Sequence, residues 1–204
     1  MSIKTLKIRC PLKISGLTTT TIVARWHTWA GDGHERLVLE EGPDGILAES
    51  VLQLQQQQGA AYSASYRIAC DGSWRTRKVK VGLIGGSSRQ VELASDGNGN
   101  WTDGASGALL PHLSGAIDVD ISATPFTNTI PIRRLGLKLG QSKDVSVAYI
   151  SLPDLAVTAD LQRYTCLEPG RLYRYESVDG GFVRDIEVDE HGLVVTYPGL
   201  FKRI

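Results

Sequence analysis

Residues 118–135 read DVDISATPFTNTIPIRRL. Asp118 to Ile121 alternate polar and apolar side chains, the period of a strand. Pro125 and Pro131 then bracket Phe126 to Ile130, a segment rich in hydroxyl and amide groups. Proline cannot donate to a sheet ladder and biases the preceding residue towards extended geometry. Pairing is therefore expected to stop near Thr124 and to resume no earlier than Ile132, with a non-repetitive loop between. Arg133 and Arg134 follow at once. Any buried part of this loop needs hydrogen-bond partners for its polar groups.

Outward from this segment almost everything alternates. Ile22 to Trp29, His34 to Glu40, Ile46 to Gln56, Ala60 to Cys70, Trp74 to Ile84 and Arg89 to Ser95 read as strands. The turn signals Gly31-Asp32-Gly33, Gly42-Pro43-Asp44-Gly45, Asp71-Gly72 and Asp96-Gly97-Asn98-Gly99 separate them. Residues 104–117 break the pattern and predict a loop or a single helical turn. Arg133 to Gln141 fits a short helix or another strand, and Gly136 and Gly140 weaken both. Val145 to Tyr149, Asp160 to Glu168, Arg171 to Val178, Phe182 to Asp189 and Leu193 to Tyr197 complete a meander with short connections. No amphipathic helix of three turns is present. The reading is a mainly β chain with little helix, built on one antiparallel sheet that must curl, close or fold over.

Nothing marks an internal boundary across the 204 residues, so one domain is expected over 1–204. Within it, residues 1–21 form a strand-like extension and 22–203 the main body. Leu6, Ile8, Cys10, Leu12 and Ile14 alternate with Lys7, Arg9, Pro11 and Lys13, which reads as a protected sheet edge rather than a secretory signal. The 42% hydrophobic and 22% charged content is that of a soluble globular protein. A formal net charge of zero argues against a nucleic-acid partner and against non-specific attraction to anionic membrane. No run suffices for a membrane helix. Cys10, Cys70 and Cys166 are few and widely spaced, which predicts reduced thiols, a cytoplasmic protein and no zinc site.

TPFTNTIPIRRL (124–135), with Gln162-Arg163-Tyr164-Thr165 and Tyr197-Pro198-Gly199-Leu200-Phe201, resembles the bacterial family called "putative glycolipid-binding proteins". The resemblance spans roughly Ile22 to Arg203. It implies an incompletely closed, or half, β-barrel similar to bacterial lipoprotein carriers. In that arrangement the concave side forms a trough and residues 118–135 plug it.

The candidate ligand-binding residues are Trp74, Thr76, Asp118, Asp120, Thr124, Phe126, Thr127, Asn128, Arg133, Arg134, Gln162, Arg163, Tyr164 and Tyr175. Aromatic rings and a few guanidinium groups along a trough suit a ligand with an apolar body and a polar or anionic head. The plainer reading makes the rings, Tyr173 among them, packing residues, and the arginines, Arg67 included, partners of carboxylates. Asp118 and Asp120 share one strand face. Together they offer a cation site or a general acid, or else each pairs with an arginine such as Arg133 or Arg163, or caps the loop. Thr124, Thr127 and Asn128 can bond a ligand hydroxyl or simply their own backbone. Trp29, Gly33 and Glu35 loosely match a Trp, Gly, Glu pattern of the resembled family, with Glu35 in a catalytic or a hairpin-flanking role. His27, His34, His112 and His191 lack metal spacing, and no nucleophile motif, Walker motif or dinucleotide fingerprint occurs. No catalytic residue, cofactor or metal is therefore assigned.

Two functions fit. One is a binding protein that holds an amphiphile such as a glycolipid in the trough. The other is a cofactor-free enzyme using the same pocket, because the resembled fold is also similar to that of a violacein-pathway enzyme. The sequence is silent on the oligomeric state.

Overall fold

The structure, a computed structural model, describes residues 18–55, 60–85 and 89–204. The strand expected over Leu6 to Ile14, and with it Cys10, lies outside them. The described strands are β1 (Thr20–Thr28), β2 (His34–Gly42), β3 (Gly45–Leu54), β4 (Tyr62–Cys70), β5 (Thr76–Ile84), β6 (Gln90–Ser95) and β7 (Trp101–Asp103). They continue as β8 (Asp118–Ile121), β9 (Ser142–Ile150), β10 (Val157–Glu168), β11 (Leu172–Ser177), β12 (Val183–Val188), β13 (Val194–Tyr197) and β14 (Phe201–Arg203). All belong to one sheet of order β7-β6-β5-β4-β3-β2-β1-β14-β13-β12-β11-β10-β9-β8.

The order describes two wings. β1 to β7 meander outward in one direction and β14 back to β8 in the other. They join where β1 meets β14, through Trp26 opposite Arg203 and Thr28 opposite Phe201. β14 was not anticipated, because its three residues are too few to show a period. Burial alternates along the strands, as on β3, where Ile46, Ala48, Ser50 and Leu52 are buried and Glu49 and Val51 are exposed. The inner face is therefore apolar and the sheet curls around it into an open half-barrel.

The edges, β7 and β8, share no ladder. Residues 104–117 carry the chain from one to the other, with one 3-10 turn at Pro111–Leu113. Gly115 N–H bonds the Gly99 carbonyl at 2.9 Å, and Ile117 N–H reaches Ser146 O at 3.3 Å. Gly99 is required at this crossing. Its φ is +95°, and a Cβ there would lie 2.9 Å from the Gly115 Cα.

Two sequence expectations are corrected here. The sheet is not wholly antiparallel, since β8 runs parallel to β9, Asp118 opposite Val147 and Ile121 opposite Ile150. Parallel neighbours need a long crossover, usually helical. Residues 122–141 are that crossover, and they are helical where a loop was expected. A 3-10 turn at Phe126–Asn128 runs directly into α1 (Thr129–Leu135). Neither proline interrupts it. Pro125 precedes the first turn, and Pro131 falls in the first turn of α1, where an N–H has no intrahelical partner anyway. Gly136 ends α1 in the left-handed conformation, φ 53° and ψ 41°.

The crossover fills the trough. Thr124 to Ile132 are all buried. Phe126 and Ile130 pack into the core of the β1–β6 wing with Trp26, Leu37, Leu52 and Ile68. Ile132 packs into the core of the other wing with Tyr164, Tyr175, Ile186 and Tyr197. The Phe126 ring stacks on Tyr66, centroids 6.2 Å apart and planes 13° apart. Burial of one such side chain contributes about 1.5–3 kcal/mol, so the plug is a structural part of the core of both wings.

A bulge resets the alternation between β4 and β5. Cys70 faces Thr76 while Ala69 faces Lys78. Arg77 is the extra residue, and Thr76 joins Val79 and Val81 on the buried face. Burial pushes the Cys70 thiol up to about 12, so it remains protonated and unreactive.

Candidate functional site

Three polar constellations hold the plug, and two cavities border it. The first constellation is centred on Glu35 of β2, which is only 5% exposed. Its Oε1 accepts from the hydroxyls of Tyr66 at 2.6 Å, Ser50 at 2.7 Å and Thr124 at 2.9 Å. Ser50 and Tyr66 come from the adjacent β3 and β4, opposite one another in the ladder, whereas Thr124 comes from the plug. Glu35 Oε2 is buried without a partner. Burial outweighs the three hydroxyls and pushes the carboxyl from 4.5 up to about 7.

The second constellation is Asp118 with Arg134. Arg134 Nε and a terminal nitrogen each donate to one Asp118 oxygen at 2.7 Å, a two-pronged pair that ties α1 to β8. Asp118 is fully buried, and burial raises its carboxyl above the usual range despite the guanidinium. The third involves Asp120, on the same strand face. It accepts from Thr127 Oγ1 at 2.6 Å and from Gln162 Nε2 at 2.7 Å. Gln162 Nε2 also reaches Asp160 at 3.2 Å, and Tyr164 donates to Asn128 Oδ1 at 3.0 Å. Burial raises the Asp120 carboxyl, and the neighbouring Asp160 charge adds to it.

The larger cavity is an open groove of about 680 Å³ at one rim of the half-barrel. Trp29, Leu54, Tyr62, Leu152, Leu200 and Phe201 give it an apolar lining. Trp29 is 52% exposed, unusual for so large a ring. The smaller cavity, about 140 Å³, lies between the plug and the β9–β14 wing. Asp120, Asn128, Tyr149, Tyr175, Phe182 and Tyr197 line it, and Thr124 contributes as well. The two cavities share Ser122, Leu200 and Phe201.

Of the residues singled out from sequence, Asp120, Thr124, Asn128 and Tyr175 meet at the smaller cavity. Phe126, Thr127, Gln162 and Tyr164 are buried behind it as support. The remaining six line neither cavity. Trp74 and Thr76 are buried at the turn into β5 and at its first residue. Arg133 lies over the Trp74 ring at 4.6 Å, binds both Glu41 oxygens at 3.2 and 3.1 Å, and donates to His191 O at 2.7 Å. Arg134 and Asp118 are consumed by each other. Arg163 pairs with Asp144 on the exposed face. The arginines thus follow the plainer reading: each meets a carboxylate of the protein itself. Sequence reasoning did not select the groove residues or the trio Tyr149, Phe182 and Tyr197. It weighed Glu35 but gave it no place in the site. Its partners lie 15, 31 and 89 positions away, so only the loose Trp, Gly, Glu match could have pointed to it. Among the described residues no group of three His, Cys, Asp or Glu is placed to hold a metal, and no helix is long and apolar enough to cross a membrane.

A family model described as "Putative glycolipid-binding" matches residues 23–203. The chain belongs to this family. A crystal structure of a DUF1089 family protein from Pseudomonas aeruginosa is similar throughout, with 33% sequence identity and a TM-score of 0.75. The similarity covers 98% of this chain and 100% of that one. The curated proteins contain no match to the chain.

Proposed function

We propose that the protein binds a small amphiphile, tail along the rim groove and head in the smaller cavity. The observation that carries this reading is the shared wall: Ser122, Leu200 and Phe201 belong both to an apolar groove and to a polar pocket. A ligand with one apolar and one polar end fits both at once. Each buried CH₂ contributes about 0.8 kcal/mol, so a fully covered ten-carbon tail contributes about 8 kcal/mol. Association costs at least about 4 kcal/mol, which leaves at most about 4 kcal/mol and so millimolar affinity at best from the tail alone, with the head supplying the rest. The enzyme reading has less support. Glu35 is the group suited to proton transfer, yet it lines neither cavity and is covered by Tyr66 and Thr124.

The test is calorimetric titration with n-octyl glucoside below its micelle concentration. Trp29→Ala is expected to weaken binding about 5- to 30-fold, from the loss of about 1–2 kcal/mol of ring burial. Val51→Ala, on the outer face, is expected to bind as the wild type does. An absence of affinity for octyl glucoside and for charged amphiphiles of equal tail length would overturn the reading. So would a Trp29→Ala protein that binds unchanged.

A further inference from the structure

The smaller cavity has a definite electrostatic character. Asp118 and Asp120 are two residues apart on one strand and fare differently. The charge of Asp118 is met by Arg134, whereas Asp120 is held by neutral donors, the Thr127 hydroxyl, the Gln162 amide and the Ile121 backbone N–H. The charge that acts on it is that of another carboxylate, Asp160, which raises it further. The half-buried acid at the wall of this cavity therefore has no counter-charge among the described residues.

The remaining walls are aromatic. Tyr175, Phe182 and Tyr197 stand 6.1–6.4 Å apart between centroids. Their planes are mutually inclined by 65°, 62° and 50°, so they form a box rather than a stack. Tyr149 adds a further ring. Aromatic boxes attract cations through the ring quadrupoles, and ammonium groups are their usual guests. One such contact already exists at the rim, where the Arg184 guanidinium lies 4.4 Å from the Phe182 centroid. Arg184 is held there by the Val183 and Pro198 carbonyls and does not bond Asp120.

We infer that this pocket takes the ammonium group of a cationic amphiphile, with Asp120 as its counter-charge and the inclined rings as its walls. The inference rests on the amphiphile reading and narrows it. A phosphate or sulfate head would face Asp120 in a cavity with no cation in its lining, since the Arg184 guanidinium stays at the rim on the Val183 and Pro198 carbonyls. At about 140 Å³ the cavity admits a small head only.

Three probes of equal tail length separate the possibilities: octyltrimethylammonium, n-octyl glucoside and octyl sulfate, titrated at low salt. The ammonium probe is expected to bind at least tenfold tighter than the glucoside, and the sulfate more weakly than either. Asp120→Asn should lower ammonium affinity at least tenfold and lower glucoside affinity several-fold less than that. Tyr149→Leu, which keeps every Asp120 hydrogen bond, should lower ammonium affinity about three- to tenfold. It tests the same claim should Asp120→Asn fail to fold. Equal binding of all three probes, or binding of the ammonium probe that ignores both substitutions, would overturn this inference and leave the amphiphile reading standing. No binding of any probe would overturn both.

Discussion

Arg134→Ala is expected to lower stability by about 3–5 kcal/mol, the cost of leaving a buried carboxylate without its partner. In a chain of this size that corresponds to a fall in melting temperature of roughly 6–20 °C. The side chains decide the magnitude. Arg134 is 15% exposed and Asp118 is 0% exposed. Arg163 and Asp144 have similar two-pronged geometry but are 42% and 47% exposed. Solvent screens that pair, and Arg163→Ala should cost far less than Arg134→Ala. Burial already raises the Asp118 carboxyl with Arg134 in place. Without the guanidinium it rises further, and the folded protein takes up a proton that the unfolded chain releases. The Arg134→Ala penalty should therefore be larger at pH 8 than at pH 5. Urea unfolding at both values measures it. Adding Asp118→Asn should recover the part due to the stranded charge. A loss below 1 kcal/mol for Arg134→Ala at pH 8 would mean that α1 is held to β8 by packing alone.

The contrast between these two arginines also marks what the sequence could convey. Strands announce themselves through alternation, because one face of each is buried and the other is not. β1 to β6 were legible for that reason, with turns at the glycine-rich pairs. The bulge at Thr76 was not, since one inserted residue leaves the local pattern readable in either register. The plug was recognised as exceptional and misjudged in conformation. Its prolines were weighed as breakers, whereas their positions at the start of a helix make them harmless. Arg133 and Arg134 could be picked out, but their partners Glu41 and Asp118 are fixed by the crossover from β8 to β9. That crossover is a property of topology and not of spacing. The groove has the same origin. Trp29, Leu152 and Leu200 belong to separate turns and meet only because the curled sheet brings their ends to one rim.

Glu35→Gln is expected to change the pH dependence of stability more than stability itself. The folded protein holds the Glu35 proton up to about pH 7, whereas the unfolded chain releases it near 4.5. Between these values the folded state binds more protons, so stability falls as pH rises through that window and the full penalty is present above it. A difference of about 2.5 pH units corresponds to about 3 kcal/mol. Glutamine remains neutral, and its carbonyl oxygen can still accept from Ser50, Tyr66 and Thr124. Tyr66 itself stays protonated throughout, because burial and the adjacent carboxylate push its phenol well above the ordinary range. The stability of Glu35→Gln relative to wild type should thus rise by about 3 kcal/mol between pH 4.5 and pH 8. Near pH 5 the variant should be equal to wild type or slightly below it, since the new amide N–H₂ takes the place of the unpartnered Oε2. Comparison with wild type at each pH cancels the other carboxylates, including Asp118 and Asp120, which shift in the same direction. Parallel pH curves for the two proteins would mean that the Glu35 carboxyl keeps an ordinary affinity for its proton. In that case the hydroxyls of Ser50, Tyr66 and Thr124 would be enough to offset its burial, and the link from β2 to the plug would be a charged one at neutral pH.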